Sequence, residues 1–179
     1  MLEIKKGIIV IPDFSGFTKF VFNTEMFVGE YVVKQLLGSL IESNKNYFQI
    51  SEIEGDAILF YSFNKLPSYS ELILMLSNML DDFNRHIIAI NKYLNNEIEI
   101  SLKFIVHYGI FSEYSIGKFK KLYGKPVIEA HKFLKNKYAE KSSYILFSNS
   151  YLRMVQDFNY KLVNDNIYIP ELGLIYYFK

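Results

Sequence analysis

An α+β fold built on a βαββαβ core is what this 179-residue sequence predicts, and three observations carry the prediction. Residues 97–108 alternate strictly, with Ile98, Ile100, Leu102, Phe104, Val106 and Tyr108 on one face and Glu97, Glu99, Ser101 and Lys103 on the other. That is the period of a half-buried strand. An S-x-x-E capping box, Ser68 to Glu71, follows Pro67 and opens an apolar stripe of Leu72, Leu76, Met79, Phe83, Ile87, Ile90 and Leu94 at helical spacing. Two β-rich runs, Tyr47–Ile53 and Ala57–Ser62, flank the tight Glu54-Gly55-Asp56 turn, a hairpin signal.

The remaining elements fall into place around these. Gly7 to Asp13, GIIVIPD, reads as a buried strand closed by the turn Phe14-Ser15-Gly16. Helical spacing of Val33, Leu36, Leu37, Leu40 and Ile41 predicts a helix from about Tyr31 to Ser43, ended by Asn44-Lys45-Asn46. The Asn95-Asn96 pair closes the long central helix. Gly109 to Gly124 reads as two short strands or a hairpin, and Pro126 opens a helix from its first turn that runs to about Lys135. Ser142–Phe147 is a short strand, and Ser148 caps one more brief helix. A C-terminal hairpin turning at Asn164-Asp165-Asn166 and a last strand from Gly173 to Phe178 complete the chain. The order is a split βαβ, ferredoxin-like core with a C-terminal βα/β elaboration, expected as one domain over residues 1–179.

Composition narrows the function. The chain has no cysteine, which removes disulfides, thiolate metal sites and thiol catalysis together. A formal net charge of +1 argues against a nucleic-acid backbone binder. The two lysines before Gly7–Pro12 imitate a secretory leader, but the apolar stretch is too short and lacks a small-residue cleavage site. No uncharged apolar run is long enough to span a bilayer. A soluble, cytoplasmic protein without membrane or nucleic-acid partners is the expectation. The 15 tyrosines and 16 phenylalanines are read mostly as core and interface.

Two aspartates stand out. Asp13 in IPDFSGFT and Asp56 in EGDAILFY each end a β-rich run beside a glycine. Carboxylates on adjacent strand ends can hold divalent cations, which bring nucleotide phosphates with them. Taken singly, either Asp is ordinary turn chemistry.

Six segments in order carry a family resemblance that covers nearly the whole chain. Asp13-Phe14-Ser15-Gly16-Phe17-Thr18 resembles the D-I-x-G-F-T signature of class III adenylyl and guanylyl cyclases, and Glu52-Ile53-Glu54-Gly55-Asp56-Ala57 resembles their G-D-A turn. His107-Tyr108-Gly109 is similar to their H-x-G, and Ser115-Ile116-Gly117 to the v-x-G that follows. Tyr123-Gly124-Lys125-Pro126-Val127 falls at their G-D-x-V-N helix start, and Ile145-Leu146-Phe147-Ser148 at the strand before the last helix. More narrowly, Val127 to Asn136 resembles the V-I-x-A-H-K/R-x-L-K-N helix of a small bacterial branch of uncharacterised cyclase-homology proteins.

The resemblance implies a class III nucleotidyl cyclase-like fold and a reaction in which the ribose 3′-oxygen attacks the α-phosphate of a nucleoside triphosphate and diphosphate leaves. Asp13 and Asp56, with the carbonyl of Phe14, would hold Mg²⁺ or Mn²⁺, two ions per active site. The Ser15-Gly16-Phe17-Thr18 turn would receive the polyphosphate on backbone N–H groups. Glu52, at the position that is Glu in guanylyl cyclases, would accept from guanine N1–H and the exocyclic amine, and Lys121 would face the guanine carbonyl. The resemblance also implies a homodimer, since such sites form between two domains.

The departures lie on one helix. The family's ribose-orienting Asn and phosphate-stabilising Arg fall here on Ile128 and Lys132. Ile128 cannot hydrogen-bond, leaving ribose positioning lost or moved to a neighbour such as Glu129. Lys132 keeps a charge without the bidentate fork of Arg. His131 reads as a surface or interface residue, His107 as a satisfied sheet histidine, and His86 needs no function. The leading expectation is a divergent cyclase homologue that binds metal–nucleoside triphosphate. The alternative is a catalytically degenerate module for dimerisation or nucleotide sensing. An unrelated ferredoxin-like ligand-binding domain is the third reading.

Overall fold

The computed structural model describes residues 5–63, 66–159 and 166–178. Its elements run β1 (Lys5–Ser15), α1 (Phe17–Asn23), α2 (Met26–Ser43), β2 (Gln49–Glu54), β3 (Ala57–Ser62), α3 (Tyr69–Leu94), β4 (Ser101–Ile116), β5 (Phe119–Tyr123), α4 (Lys125–Phe133), β6 (Tyr144–Ser148), α5 (Asn149–Met154), β7 (Ile167–Ile169) and β8 (Gly173–Tyr177). The strands lie in the order β2-β3-β1-β4-β6-β8-β7, with β5 pairing the far half of β4. Among the first four, neighbours are antiparallel and β3 and β1 are central, the arrangement a split βαβ core requires. β6 then joins parallel to β4, and the β7–β8 hairpin closes the edge.

Both faces of the sheet are covered, because successive side chains point to opposite sides. Ile8, Val10 and Phe14 of β1, with Phe104 and Val106 of β4, pack against Val32, Leu36 and Leu40 of α2 and Leu72, Leu76 and Phe83 of α3. Ile9 and Ile11, with Ile105, Leu59 and Leu146, form a second core with Ala130 of α4. That second face carries the candidate site.

The capping box of α3 forms as read: the Ser68 side chain accepts from the Glu71 N–H and Glu71 answers to the Ser68 N–H. Asp157 adds a second cap, accepting from the N–H groups of Tyr69 and Ser70 at 2.8 and 2.9 Å. The Ala57–Ser62 strand and the Ser148 cap of α5 also form as expected.

Three expectations are corrected. The first strand continues through Phe14 and Ser15, because β4 pairs it as far as Ser101, so the turn narrows to Gly16. The helix predicted from Tyr31 begins at Met26, with Glu25 accepting from Phe27 and Val28 N–H groups, and a separate α1 precedes it. Residues 97–100 alternate as a strand but carry no ladder: β1 ends opposite Ser101, and the Ile98 N–H is taken by the Asn91 side chain. In the expected C-terminal turn Asn164 and Asp165 lie outside the described residues; the β7–β8 hairpin turns at Pro170-Glu171-Leu172. Among the described residues, no helix is long and apolar enough to cross a membrane.

Candidate functional site

The site begins with a mismatch in strand length. β1 pairs β4 through Ser15, but its pairing with β3 runs Ile8, Ile9, Val10 and then Asp13, with Pro12, which has no N–H to give, in the gap. Beyond Asp13, the β3 side of Phe14 and Ser15 has no strand partner among the described residues. There the chain opens a groove of about 420 Å³ lined by Asp13, Phe14, Ser15, Gly16, Phe17, Thr18, Lys19, Asp56 and Lys103. Asp13 reaches it from the strand end, and Asp56 from the β2–β3 turn, one residue before the Asp13–Ala57 pair.

Each wall has a local cause. Phe14 turns its ring into the core against Phe83, 5.3 Å between centroids, leaving its backbone at the groove. Gly16 adopts φ +88°, and a Cβ there would meet the Glu99 carbonyl oxygen at 2.5 Å, so only glycine lets the turn lie against the 96–99 segment. As N-cap of α1 it offers no side chain to the first-turn N–H groups. The Ser15 hydroxyl donates to the Ser142 carbonyl at 3.1 Å, tying the turn to the start of β6.

The Asp56 carboxyl is raised from 3.8 to about 6, first by burial and then by the Asp13 charge. Two carboxylates in one partly desolvated groove repel each other, a conflict that a divalent ion relieves. Lys103 already answers half of it: its ammonium lies 2.9 Å from Asp13 Oδ1, with both side chains over four-fifths buried. The donor set, two carboxylates and backbone oxygen, suits a hard cation. Among the described residues, no three His, Cys, Asp or Glu side chains group to hold a metal.

The expected base-edge residues meet each other outside this groove. Glu52 and Lys121 form an ion pair between β2 and β5, and the Glu52 carboxylate holds the Lys121 ammonium above its ordinary range. A bulge between Ile50 and Glu52 causes this: the extra residue, Ser51, puts Glu52 opposite Leu59, on the α4 side of the sheet. Ion pair and groove therefore share one face. Strand spacing separates Glu52 from Asp13 by roughly 12 Å, two strands across and one pleat row along.

Lys132 and Ile128 stand apart from both. They occupy the outward side of α4, where Ile128 is 60% exposed. Glu129 does not replace Ile128: it turns inward, 3.3 Å from His107 Nε2 and 3.2 Å from Lys125 Nζ. His107 is a satisfied histidine, its Nδ1 2.8 Å from the Ser148 hydroxyl, and burial lowers its pKa. Gly109 makes this docking possible, since a Cβ there would meet Pro126 Cγ at 2.4 Å.

Sequence reasoning missed Lys103 and Lys19. Lys103 was the last polar residue of the alternating run, and only its register against Asp13 shows that it faces the site.

A family model for proteins of unknown function, DUF2652, matches residues 33–144. The chain belongs to the DUF2652 family. This DUF2652 protein has the fold of class III adenylyl and guanylyl cyclase domains, as solved structures show. It is similar to the guanylyl cyclase Cya2, with 14% identity, TM-score 0.72, and coverage of 98% of this chain and 92% of that one. Similarity to the adenylyl cyclase CyaB from P. aeruginosa is comparable: 14% identity, TM-score 0.68, and coverage of 98% and 94%. The guanylate cyclase domain of RhGC from Catenaria anguillulae, solved in complex with GTP, gives 17% identity, TM-score 0.65, and coverage of 97% and 96%. No curated protein matches the sequence.

Proposed function

We propose that this DUF2652 protein is a divergent nucleotidyl cyclase homologue that binds a metal–nucleoside triphosphate in the Asp13–Asp56 groove and cyclises it slowly. The observation that carries the reading is the convergence of two carboxylates, a lysine and a glycine turn on one groove. Bound there, Mg²⁺ or Mn²⁺ would acidify the ribose 3′-hydroxyl and neutralise the phosphates. Asp13, Asp56 and the Phe14 carbonyl are the ligands in this reading. Lys103, already the counter-ion of Asp13, supplies a fixed positive charge for phosphate oxygens. In this reading the backbone N–H groups of the Ser15-Gly16-Phe17-Thr18 turn receive the polyphosphate, the Gly16 cap offering them no side-chain acceptor.

Glu52 and Lys121 favour guanine, the first as acceptor and the second as donor, once the base inserts between them. Their roughly 12 Å offset from Asp13 suits a ligand with its base at one end and its phosphates at the other. The partner is a second copy. Ile110, Ile116, Phe119 and Tyr123 leave large apolar side chains exposed on the β4–β5 hairpin, and in the dimer Lys132 of one subunit would face the triphosphate of the other.

Ile128 also supports a second reading, a nucleotide-sensing or dimerisation module without turnover. Its exposed aliphatic side chain offers nothing to a ribose, and the neighbouring Glu129 is committed to His107 and Lys125. Isothermal titration with the four nucleoside triphosphates and Mn²⁺, with Asp13→Ala/Asp56→Ala as control, tests the proposal. Metal-dependent binding that the double variant abolishes, followed by slow formation of a 3′,5′-cyclic product, is expected. Binding without product leaves the second reading. No binding by the folded dimer removes both nucleotide readings and leaves a dimerisation module.

A further inference from the structure

Lys19 is a groove residue whose charge is turned elsewhere. It stands in the first turn of α1, directly after the Ser15-Gly16-Phe17-Thr18 segment, and lines the groove with Asp13, Asp56 and Lys103. Its ammonium lies 2.6 Å from Glu99 Oε2, on the segment leading into β4. A second groove, of about 340 Å³, shares Gly16 and Lys19 with the first and is also lined by Asn23, Glu97 and Glu99. Lys19 thus belongs to both clefts, and its partner Glu99 to the second.

The pair is built to be exchanged. Its side chains are 72% and 74% exposed, against 18% and 15% for Lys103 and Asp13. Ion pairs in water are weak and salt-screened, and a lysine stem reaches several positions through its rotatable bonds. A triphosphate carries far more negative charge than one carboxylate, so it outcompetes Glu99 for the same ammonium. The backbone under Lys19 stays fixed meanwhile: the Phe20 N–H bonds to the Gly16 carbonyl at 3.0 Å, and the Phe20 ring is buried.

We propose that Lys19 is a polyphosphate ligand held in reserve by Glu99, so that nucleotide binding transfers the ammonium from the Glu99 carboxylate to a phosphate oxygen. Glu99 is then a negative regulator of affinity. Its charge holds the empty site closed to weakly charged anions and gives way to a triphosphate. This inference rests on the nucleotide-binding reading above.

The test is titration of Mn²⁺–GTP into the wild-type protein, Lys19→Gln, Glu99→Gln, the Lys19→Gln/Glu99→Gln pair, and Asp13→Ala/Asp56→Ala. Lys19→Gln should weaken binding about five- to tenfold and Glu99→Gln should tighten it about threefold. In the Lys19→Gln background, the Glu99 substitution should change almost nothing, because its effect runs through Lys19. An equal gain from Glu99→Gln in both backgrounds would reduce Glu99 to a general charge effect and overturn the latch. Unchanged affinity in Lys19→Gln, with binding still abolished by Asp13→Ala/Asp56→Ala, would overturn the latch and leave the nucleotide site standing. No binding by the wild type would overturn both.

Discussion

Replacing Asp56 by Asn should make the empty protein more stable at neutral pH while removing its response to metal. Folding carries the Asp56 carboxyl into a partly buried groove that already holds Asp13, and its pKa rises from 3.8 to about 6. A rise of that size amounts to roughly 3 kcal/mol against the charged form, and partial exposure with salt screening reduces it to about 1–2 kcal/mol. Because the folded-state pKa lies above the unfolded one, the penalty is absent below about pH 4, grows between pH 4 and 6, and is complete above pH 6. Asn keeps an acceptor and drops the charge. Thermal unfolding at pH 7.5 should therefore show Asp56→Asn melting about 3–6 °C above the wild type, with the gain gone at pH 4. Added Mn²⁺ should raise the wild-type midpoint at pH 7.5, less so below pH 6 where the ligand is protonated, and leave Asp56→Asn unmoved. A variant equal to or less stable than the wild type at pH 7.5, or a gain that persists at pH 4, would refute the carboxylate repulsion in the groove.

Three further outcomes are expected. Ile128→Asn/Lys132→Arg restores a ribose hydrogen bond and a bidentate phosphate contact and should raise cyclic-nucleotide formation by ~10²-fold or more, measured by product chromatography. Gly16→Ala forces an L side chain into φ +88° against the Glu99 carbonyl and should cost about 1–3 kcal/mol in denaturant unfolding, with loss of triphosphate affinity. Phe119→Asp/Tyr123→Asp puts charge on an exposed apolar surface and should shift sedimentation from dimer to monomer while the melting temperature changes little.

Local chemistry made much of the fold legible. Ser68 with Glu71, the Leu72–Leu94 stripe and the Gly55-Asp56 turn signal their elements within a few residues, and each forms where expected. α1 was hidden because FTKFVFN is aromatic and β-branched, and its cap, Gly16, offers no side chain. The start of α2 was hidden for a similar reason: its cap is Glu25, outside the usual Ser, Thr, Asp and Asn set.

The site was legible where it is local and opaque where it depends on register. Asp13 and Asp56 announce themselves beside glycines. Lys103 looks like one more solvent-facing residue until β4 is laid against β1, and Lys19 has no motif of its own. Glu129 shows the reverse error, a carboxylate beside Ile128 that looks free to replace it until α4 docks and commits it to His107. The fold is like that of class III cyclase domains, while Ile128 and Lys132 sit on the outward side of α4, away from the Asp13–Asp56 groove.

The most direct test is a crystal of the protein grown with Mn²⁺ and a non-hydrolysable guanosine triphosphate analogue, with anomalous scattering recorded for manganese. The account predicts manganese density between the Asp13 and Asp56 carboxylates at ~2.1–2.3 Å from an oxygen of each, with the phosphates along the Ser15–Thr18 turn. A well-ordered groove with the Asp13–Lys103 pair intact and no manganese beside it would contradict the account.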